Sequence, residues 1–473
     1  MHAPAPPQPR PTLLALIVAA AFFMEILDGA IISPAIPQIA ESFNSTAVAV
    51  STGISSYLIT VAIFIPASAW LSDRFGPRAV FATAIAVFTV ASVLCGISDS
   101  LVEFTFARIL QGIGGAMMSP VGRIEVMRRT AKADLLLMIA FLTWPGLTGL
   151  VVGPPLGGLL TTFLSWRWIF FINIPIGLAG IALVLAFFDR TRSANPKPFD
   201  ALGFILNGLS LATFLHGLES IGRGGSTIIA LTFLTAGVLL GVAAIRHALR
   251  HPTPLLPLAP TRIYTFAVGA LWGGGLFRLG IGGLGFLLPV MFQMVFGMSA
   301  FDAGLLVACF LGGDLGIKPV ANKIIRLFGF RTTLIVDGIL VAATGFAFVF
   351  VSPQTPYWVL IPLLVFTGAS RSVHFTALNS LVFADMPQEQ IGNASTLNSM
   401  IQQVMMGTGV GISAVSLALS AALRDHMGAA LTMTDFRVAF GLGAVLALAA
   451  VLTYIPMSPN VAAHVSGRKP ADK

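Results

Sequence analysis

Charge is what this 473-residue sequence has least of: 10% of its residues are Asp, Glu, Lys or Arg, against about 25% in an average soluble protein. Such scarcity excludes a solvated surface wrapped around a single core. Cysteine is nearly absent as well. Cys95 and Cys309 both lie in apolar stretches, which leaves no disulfide framework and no thiolate metal spacing. Extended polar stretches are missing, so no sizeable soluble domain is expected. No phosphate-binding loop, metal-ligand cluster or nucleophile–base set can be found. Enzymatic chemistry, a cofactor and a bound metal are therefore not expected.

What is there is apolar. Hydrophobic residues make up 56% of the chain, and the mean hydropathy is +0.90. A hydrocarbon core of about 30 Å takes roughly 20 apolar residues per helical crossing. Stretches of that kind fall near 13–36, 47–71, 79–98, 103–122, 135–160, 167–188, 201–219, 227–246, 264–292, 301–322, 332–351, 357–380, 392–421 and 436–456. They are too long, and alternate too little, for barrel strands. The fold class is thus an all-α polytopic membrane protein with fourteen transmembrane helices.

A formal net charge of +8 invites a nucleic-acid partner, but its distribution argues for topology instead. An even number of spans places both termini on one side. With that side cytoplasmic, Lys and Arg divide as 19 inside, 4 outside and 4 within spans. Inside clusters include Arg74/Arg78, Arg123/Arg128/Arg129/Lys132, Arg190/Arg192/Lys197 and Arg246/Arg250/Arg262. This is the positive-inside pattern of a polytopic membrane protein, with no role for nucleic acid. Residues 1–11 are Pro-rich, and the first apolar stretch, with Glu25 and Asp28, is too long for a cleavable signal.

Five regions follow: a disordered cytoplasmic N-terminus (1–12), a six-helix bundle (13–188), a linker carrying two extra helices (189–263), a second six-helix bundle (264–456) and a cytoplasmic tail (457–473). Asp73-Arg-Phe-Gly76-Pro-Arg78 after the second span and Arg326-Leu-Phe-Gly329-Phe-Arg331 after the tenth form a weak internal repeat. A duplicated six-span unit with a site at its interface is a transporter plan.

Ionisable side chains at bilayer depth cost about 2.5–3.5 kcal/mol on insertion scales, so they tend to face cavities and carry function. Glu25, Asp28, Arg108, Arg278, Asp314, Lys318, Asp337 and Arg371 are such residues. Glu25 and Asp28 stand at i, i+3 on one helix face. Two carboxylates this close in a low dielectric cannot both carry charge cheaply, which suits one of them to bind and release a proton. The rival reading has Asp28 hydrogen-bonded structurally while Glu25 faces water. Arg108 is permanently charged and needs a carboxylate, carbonyl or water partner. Arg278, Arg371 and His374 give a central cavity positive character. Phe22, Met24, Trp144 and Phe277 are candidates for its apolar lining. His374 is either a proton relay or a hydrogen-bonded core residue. Asp314 and Lys318, at i, i+4, read as a structural pair, and Asp337 as interfacial.

Gly149, Gly153, Gly157 and Gly158 put small residues along one helix, and Pro154 and Pro155 allow it to bend. Two breakers around Gly76 make a tight turn in which Asp73 caps a neighbouring helix or pairs with an Arg. That turn, with Arg74 and Arg78, reads as a two-state gate or as a static anchor.

Taken in order, these segments resemble the major facilitator superfamily, and within it the 14-span drug:proton antiporters of the EmrB/QacA type. Leu27-Asp28-Gly-Ala-Ile-Ile-Ser-Pro-Ala-Ile-Pro37 is similar to the first-span signature, with Ala30 and Ser33 in place of the usual Thr and Asn. Leu71-Ser-Asp73-Arg74-Phe-Gly76-Pro-Arg78 resembles motif A, although Ala69 stands where Gly is usual. Arg108-Ile-Leu-Gln111-Gly112-Ile-Gly114-Gly115 resembles motif B, and Gly149-Leu-Val-Val-Gly153-Pro154-Pro155-Leu-Gly157-Gly158 the antiporter motif C. Trp166-Arg-Trp-Ile-Phe-Phe-Ile-Asn173-Ile-Pro175-Ile-Gly177 is similar to the sixth-span entry of that group. A nearer likeness, to MdtD-type efflux proteins, rests on Gly114–Arg123, Arg278, Lys318 and Ser370–Asn379.

The resemblance implies two pseudo-symmetric bundles plus two extra helices, working by alternating access as a proton-coupled exporter of small amphipathic molecules. Asp28, Glu25 and Arg108 would couple protons, and Asp73, Arg74, Gly76 and Arg78 would gate. Protons would serve as the coupling ion in place of a cofactor, and the protein would work as a monomer in the bilayer. Export of organic anions, lipid flipping or a non-transporting sensor role are the alternatives.

Overall fold

The computed structural model describes residues 11–129, 135–189, 198–222, 226–387, 390–425 and 431–462. The first ten residues, most of the basic stretch after 189 and the last eleven residues, for which sequence expectations were stated, lie outside the described residues. Every regular element among the described residues is helical. The first bundle contains α1 (Pro11–Ile31), α2 (Ile36–Ser42), α3 (Ala47–Phe75), α4 (Pro77–Ile97), α5 (Leu101–Arg129), α6 (Leu135–Phe163), α7 (Trp168–Phe171) and α8 (Asn173–Phe187). Next come α9 (Ala201–Gly222) and α10 (Thr227–Arg250). The second bundle contains α11 (Tyr264–Phe266), α12 (Gly273–Gly282), α13 (Leu284–Met294), α14 (Ala300–Phe350), α15 (Tyr357–Ala384), α16 (Ile391–Asp425) and α17 (Met433–Tyr454).

Eleven of the described helical stretches are long and apolar enough to cross a bilayer. Helices also occupy the remaining expected positions. Of these, α5 carries more charge and α6 has a shorter apolar stretch, Thr148–Phe163. Where two spans with a loop were expected, α14 runs for 51 residues. At about 1.5 Å per residue it would measure roughly 77 Å, beyond two hydrocarbon cores. Gly329, at φ 78° and ψ 165°, breaks it into two passes.

Local chemistry sets the other boundaries. Pro34 and Pro37 lack N–H donors, so α1 gives way to a 3₁₀ turn (Ser33–Ala35) before α2. Thr46 caps α3, its hydroxyl accepting from the Ala49 N–H at 3.1 Å. Gly76, at φ 88°, separates α3 from α4 in a conformation matching that of Gly329. Two residues after each glycine an arginine reaches the end of its own bundle's last helix. Arg78 donates to the Leu185 carbonyl, and Arg331 to the Ile455 carbonyl at 2.9 Å. Cations at helix C-termini are favourable, so the repeat seen in sequence extends to its contacts.

The first bundle's core is built from Val18, Phe81, Phe88, Met118 and their neighbours. Only 17% of each apolar window in α9 and α10 is buried, against 72% in α3. This pair is peripheral, leaning on α3 through a Phe64–Phe204 ring contact at 5.2 Å and on α16 near Gly411.

The bundles meet at the ends remote from Gly76 and Gly329. Gln38 donates to Gln293 (2.9 Å), Gln293 to the Pro34 carbonyl (2.7 Å), and the Phe301 N–H to Thr162 (3.2 Å). A Cβ placed on Gly158 would sit 2.4 Å from the Ala300 carbonyl oxygen, and one on Gly304 2.3 Å from that of Pro154. Deeper in, Ser55 donates to the Gly407 carbonyl at 3.3 Å.

Candidate functional site

Five helices converge on Asp28. Asp28 Oδ2 accepts from Arg108 Nη1 at 2.7 Å. Asp28 Oδ1 accepts from Gln111 Nε2 at 2.7 Å and from Asn173 Nδ2 at 3.0 Å. Arg108 also donates to Gln111 Oε1 at 2.5 Å, and Ser92 Oγ takes the second bonds of Gln111 (2.8 Å) and Asn173 (3.2 Å). The guanidinium lies 4.3 Å from the centre of the Tyr57 ring. Asp28, Arg108, Gln111 and Asn173 are all within 1% of full burial. The carboxylate is satisfied by three donors, one of them cationic, while Arg108 Nε has no hydrogen-bond partner among the described residues, and removing either member of this buried pair strands a charge.

Glu25 is situated differently. It is half-buried, and Oε2 accepts from Ser119 Oγ at 2.8 Å. Its partner lies on α5, as does Arg108, but nearer the other end of that helix. The face shared by Glu25 and Asp28 therefore splits into a sealed carboxylate and an approachable one.

The second bundle contains a different polar cluster. Arg278 is fully buried and donates from Nη1 to the Gly269 carbonyl at 3.2 Å. That carbonyl belongs to a π-helical stretch, Ala267–Trp272, whose wider winding departs from α-helical bonding. Arg278 Nε and Nη2 have no hydrogen-bond partner among the described residues. His374 stacks on Phe277, their centroids 3.8 Å apart. Its Nδ1 lies 3.2 Å from Asp337 Oδ2, and its Nε2 lies 3.1 Å from the Tyr454 hydroxyl. Asp314 pairs with Arg371 and, at 3.6 Å, with Lys318, which donates to Ser372 at 3.1 Å.

These placements correct several expectations. Arg278, His374 and Phe277 were expected to line a cavity but are enclosed in the second bundle. Phe22 and Met24 pack into the first bundle's core. Asp337 was expected to be interfacial, yet it is 7% exposed and faces His374. The Asp314–Lys318 pair is a trio, since Arg371 joins it. Arg371 keeps a side chain 13% exposed, and the Trp144 side chain lies outside the described residues.

The glycines of α6 allow close approach on two sides. Gly149 and Gly153 lie against Phe23 and Ala30 of α1, and a Cβ on Gly157 would stand 2.1 Å from the Ile31 carbonyl oxygen. Gly158, one residue on, faces the other bundle instead. At the Gly76 turn, Asp73 is half-buried and Arg74 exposed. Gln111, Asn173, Ser92 and Tyr57 were given no role from the sequence. Gln111, three residues after Arg108 and so on the same face, was the available signal.

The profile described as the Major Facilitator Superfamily matches residues 18–410. Among curated proteins, the chain is 38% identical over 405 residues to "Putative multidrug resistance protein MdtD" of Cronobacter sakazakii, with 85% of each chain covered. Against the protein of the same name from Escherichia coli O6:H1, identity is 34% over 456 residues, with 96% of each covered. Among solved structures, an autoinhibited peptide transporter of the POT family superposes with a TM-score of 0.69 at 15% identity, covering 94% of this chain and 96% of that one. The xylose transporter XylE of E. coli, in an inward-open form, gives 0.63 at 14% identity, covering 95% and 98%.

Proposed function

This chain belongs to the major facilitator superfamily, and on that premise we propose that it is a proton-coupled exporter of small amphipathic molecules. It resides in the bacterial inner membrane with both termini cytoplasmic, binds neither metal nor cofactor for transport, and acts as a monomer by alternating access. The names of its relatives support drug-like cargo. The basic residues at the Gly76 and Gly329 ends support the orientation.

The observation that carries the reading is the division of labour on α1. Asp28 is committed to Arg108, Gln111 and Asn173, whereas Glu25 is half-buried with a neutral hydroxyl partner. We assign Glu25 as the proton carrier and the Asp28–Arg108 pair as its fixed scaffold. Arg108 and Gln111 share α5 with Ser119, so a shift of α5 against α1 would alter both carboxylates together. In this shape the rim formed by Gln38, Gln293, Thr162 and Phe301 is closed, which supports an inward-facing reading once both termini are taken as cytoplasmic. Each charge crossing 100 mV contributes about 2.3 kcal/mol, and that inward proton flow would drive the cargo outward.

One observation favours a second reading, export of organic anions: the Arg371 guanidinium keeps part of its side chain exposed. Accumulation of a fluorescent cationic dye and of a radiolabelled organic acid, each measured with and without an uncoupler, separates the cargo classes. A non-transporting sensor moves neither. A lipid flippase acts regardless of Glu25, so proton-driven flux that survives Glu25→Gln overturns the coupling assignment.

A further inference from the structure

Outside the bundles, three side chains on the basic face meet without serving transport. Asp200 precedes α9. His247 lies in the last turn of α10, and His251, four residues on, is its C-cap residue. One ligand atom from each of the three lies within 4.8 Å of the others.

We infer that Asp200, His247 and His251 form a binding site for a divalent transition ion of the zinc class. Two imidazoles and one carboxylate, with a fourth position left for water, are a donor set that zinc accepts, at about 2.0–2.2 Å per ligand. Neighbouring ligand atoms around a tetrahedral ion then stand about 3.3 Å apart. The present spacing of His247 Nε2 and Asp200 Oδ1 is 2.7 Å, so an ion would replace the shared proton after a small parting of the two groups.

The surroundings favour the ion in two ways. The Asp200 side chain is almost fully buried and is oriented by the N–H groups of Gly203 (2.9 Å) and Leu255 (3.1 Å). Such second-tier hydrogen bonds fix the direction of a ligating carboxylate. The imidazoles stay within reach of solvent, with the His247 side chain 17% exposed and its ring centre 5.0 Å from that of His251. Arg246 and Arg250 lie on the same helical turn and oppose a dication, which sets moderate rather than tight affinity.

The simpler role of these residues is a helix cap, with Asp200 fastening α9 to α10. His251 separates the two accounts. Its Nδ1 accepts only a 3.3 Å bond from the Thr253 N–H, and it has no part in the Asp200–His247 contact. Full-length, tag-free protein stripped with a chelator is titrated with Zn²⁺ alone, using a competing indicator and X-ray absorption. The expected result is one ion per chain with two imidazoles in its shell. His251→Ala should weaken binding about tenfold or more while leaving the thermal midpoint of the metal-free protein unchanged. Zinc should raise that midpoint in wild type and not in His251→Ala. Absence of stoichiometric binding, or equal affinity in His251→Ala, overturns the site. Neither result depends on transport, so the exporter reading stands or falls separately.

Discussion

Adding one methyl group at Gly158 should move the protein between its facing states. The ideal Cβ would lie 2.4 Å from the Ala300 carbonyl oxygen and 2.7 Å from the Phe301 Cα, both backbone atoms of α14. Ordinary contacts of that kind need about 3.4 Å or more, so α6 and α14 would have to part by roughly 1 Å. Overpacking of this order costs about 1–3 kcal/mol. Because the contact lies between bundles, that cost falls on the closed rim alone, and the balance of states shifts roughly 5- to 150-fold. Gly157→Ala is the control. Its Cβ would stand 2.1 Å from the Ile31 carbonyl of α1, inside one bundle, so it should lower thermal stability without changing the balance of states. The assay is electron–electron resonance between spin labels at Leu164→Cys and Met294→Cys, both exposed at that rim. Gly158→Ala should add a longer distance, and Gly157→Ala should not. Matching distance distributions for wild type and Gly158→Ala, or the same lengthening in Gly157→Ala, would refute the reasoning.

Other outcomes follow from the same geometry. Glu25→Gln should abolish pH-driven flux in proteoliposomes while leaving the thermal midpoint within about 1 °C, since only the Ser119 contact changes. Asp28→Asn should cost about 3–5 kcal/mol by stranding Arg108, read as a fall in thermal midpoint. Pairing it with Arg108→Gln should recover part of that loss, and strict additivity in the double-variant cycle would contradict the buried pair. Gly329→Ala should lose roughly 1–2 kcal/mol because φ is 78° there; an unchanged midpoint would argue against the left-handed turn.

The helical positions were legible because hydropathy and length alone decide what can cross a bilayer. The Gly76 and Gly329 turns were legible because glycine followed by an arginine leaves a mark in both halves. The direction of side chains on a helix buried all round was not. Phe22 and Met24 could have faced the cavity or the bundle, since apolar residues surround α1 on every side and periodicity carries no contrast. Asp28 and Arg108 stand out in the sequence as buried charges, but their joint partner Gln111 and the closing bond from Asn173 depend on how α1, α5 and α8 cross. Asn173 lies 145 residues from Asp28 in sequence, and no local pattern links them. The sequence left His374 between a relay and a core residue for the same reason: Asp337 and Tyr454 reach it from separate helices.

Arg78 and Arg331 each clasp a carbonyl at the end of their own bundle's sixth crossing. A polypeptide tied back on itself in this way behaves as a hoop: tension applied at any helix is shared around the ring. Two such hoops joined near one rim work like the jaws of a peg. Severing the strip that carries α9 and α10 would then leave both jaws whole, and two separately synthesised pieces could reassemble in one membrane.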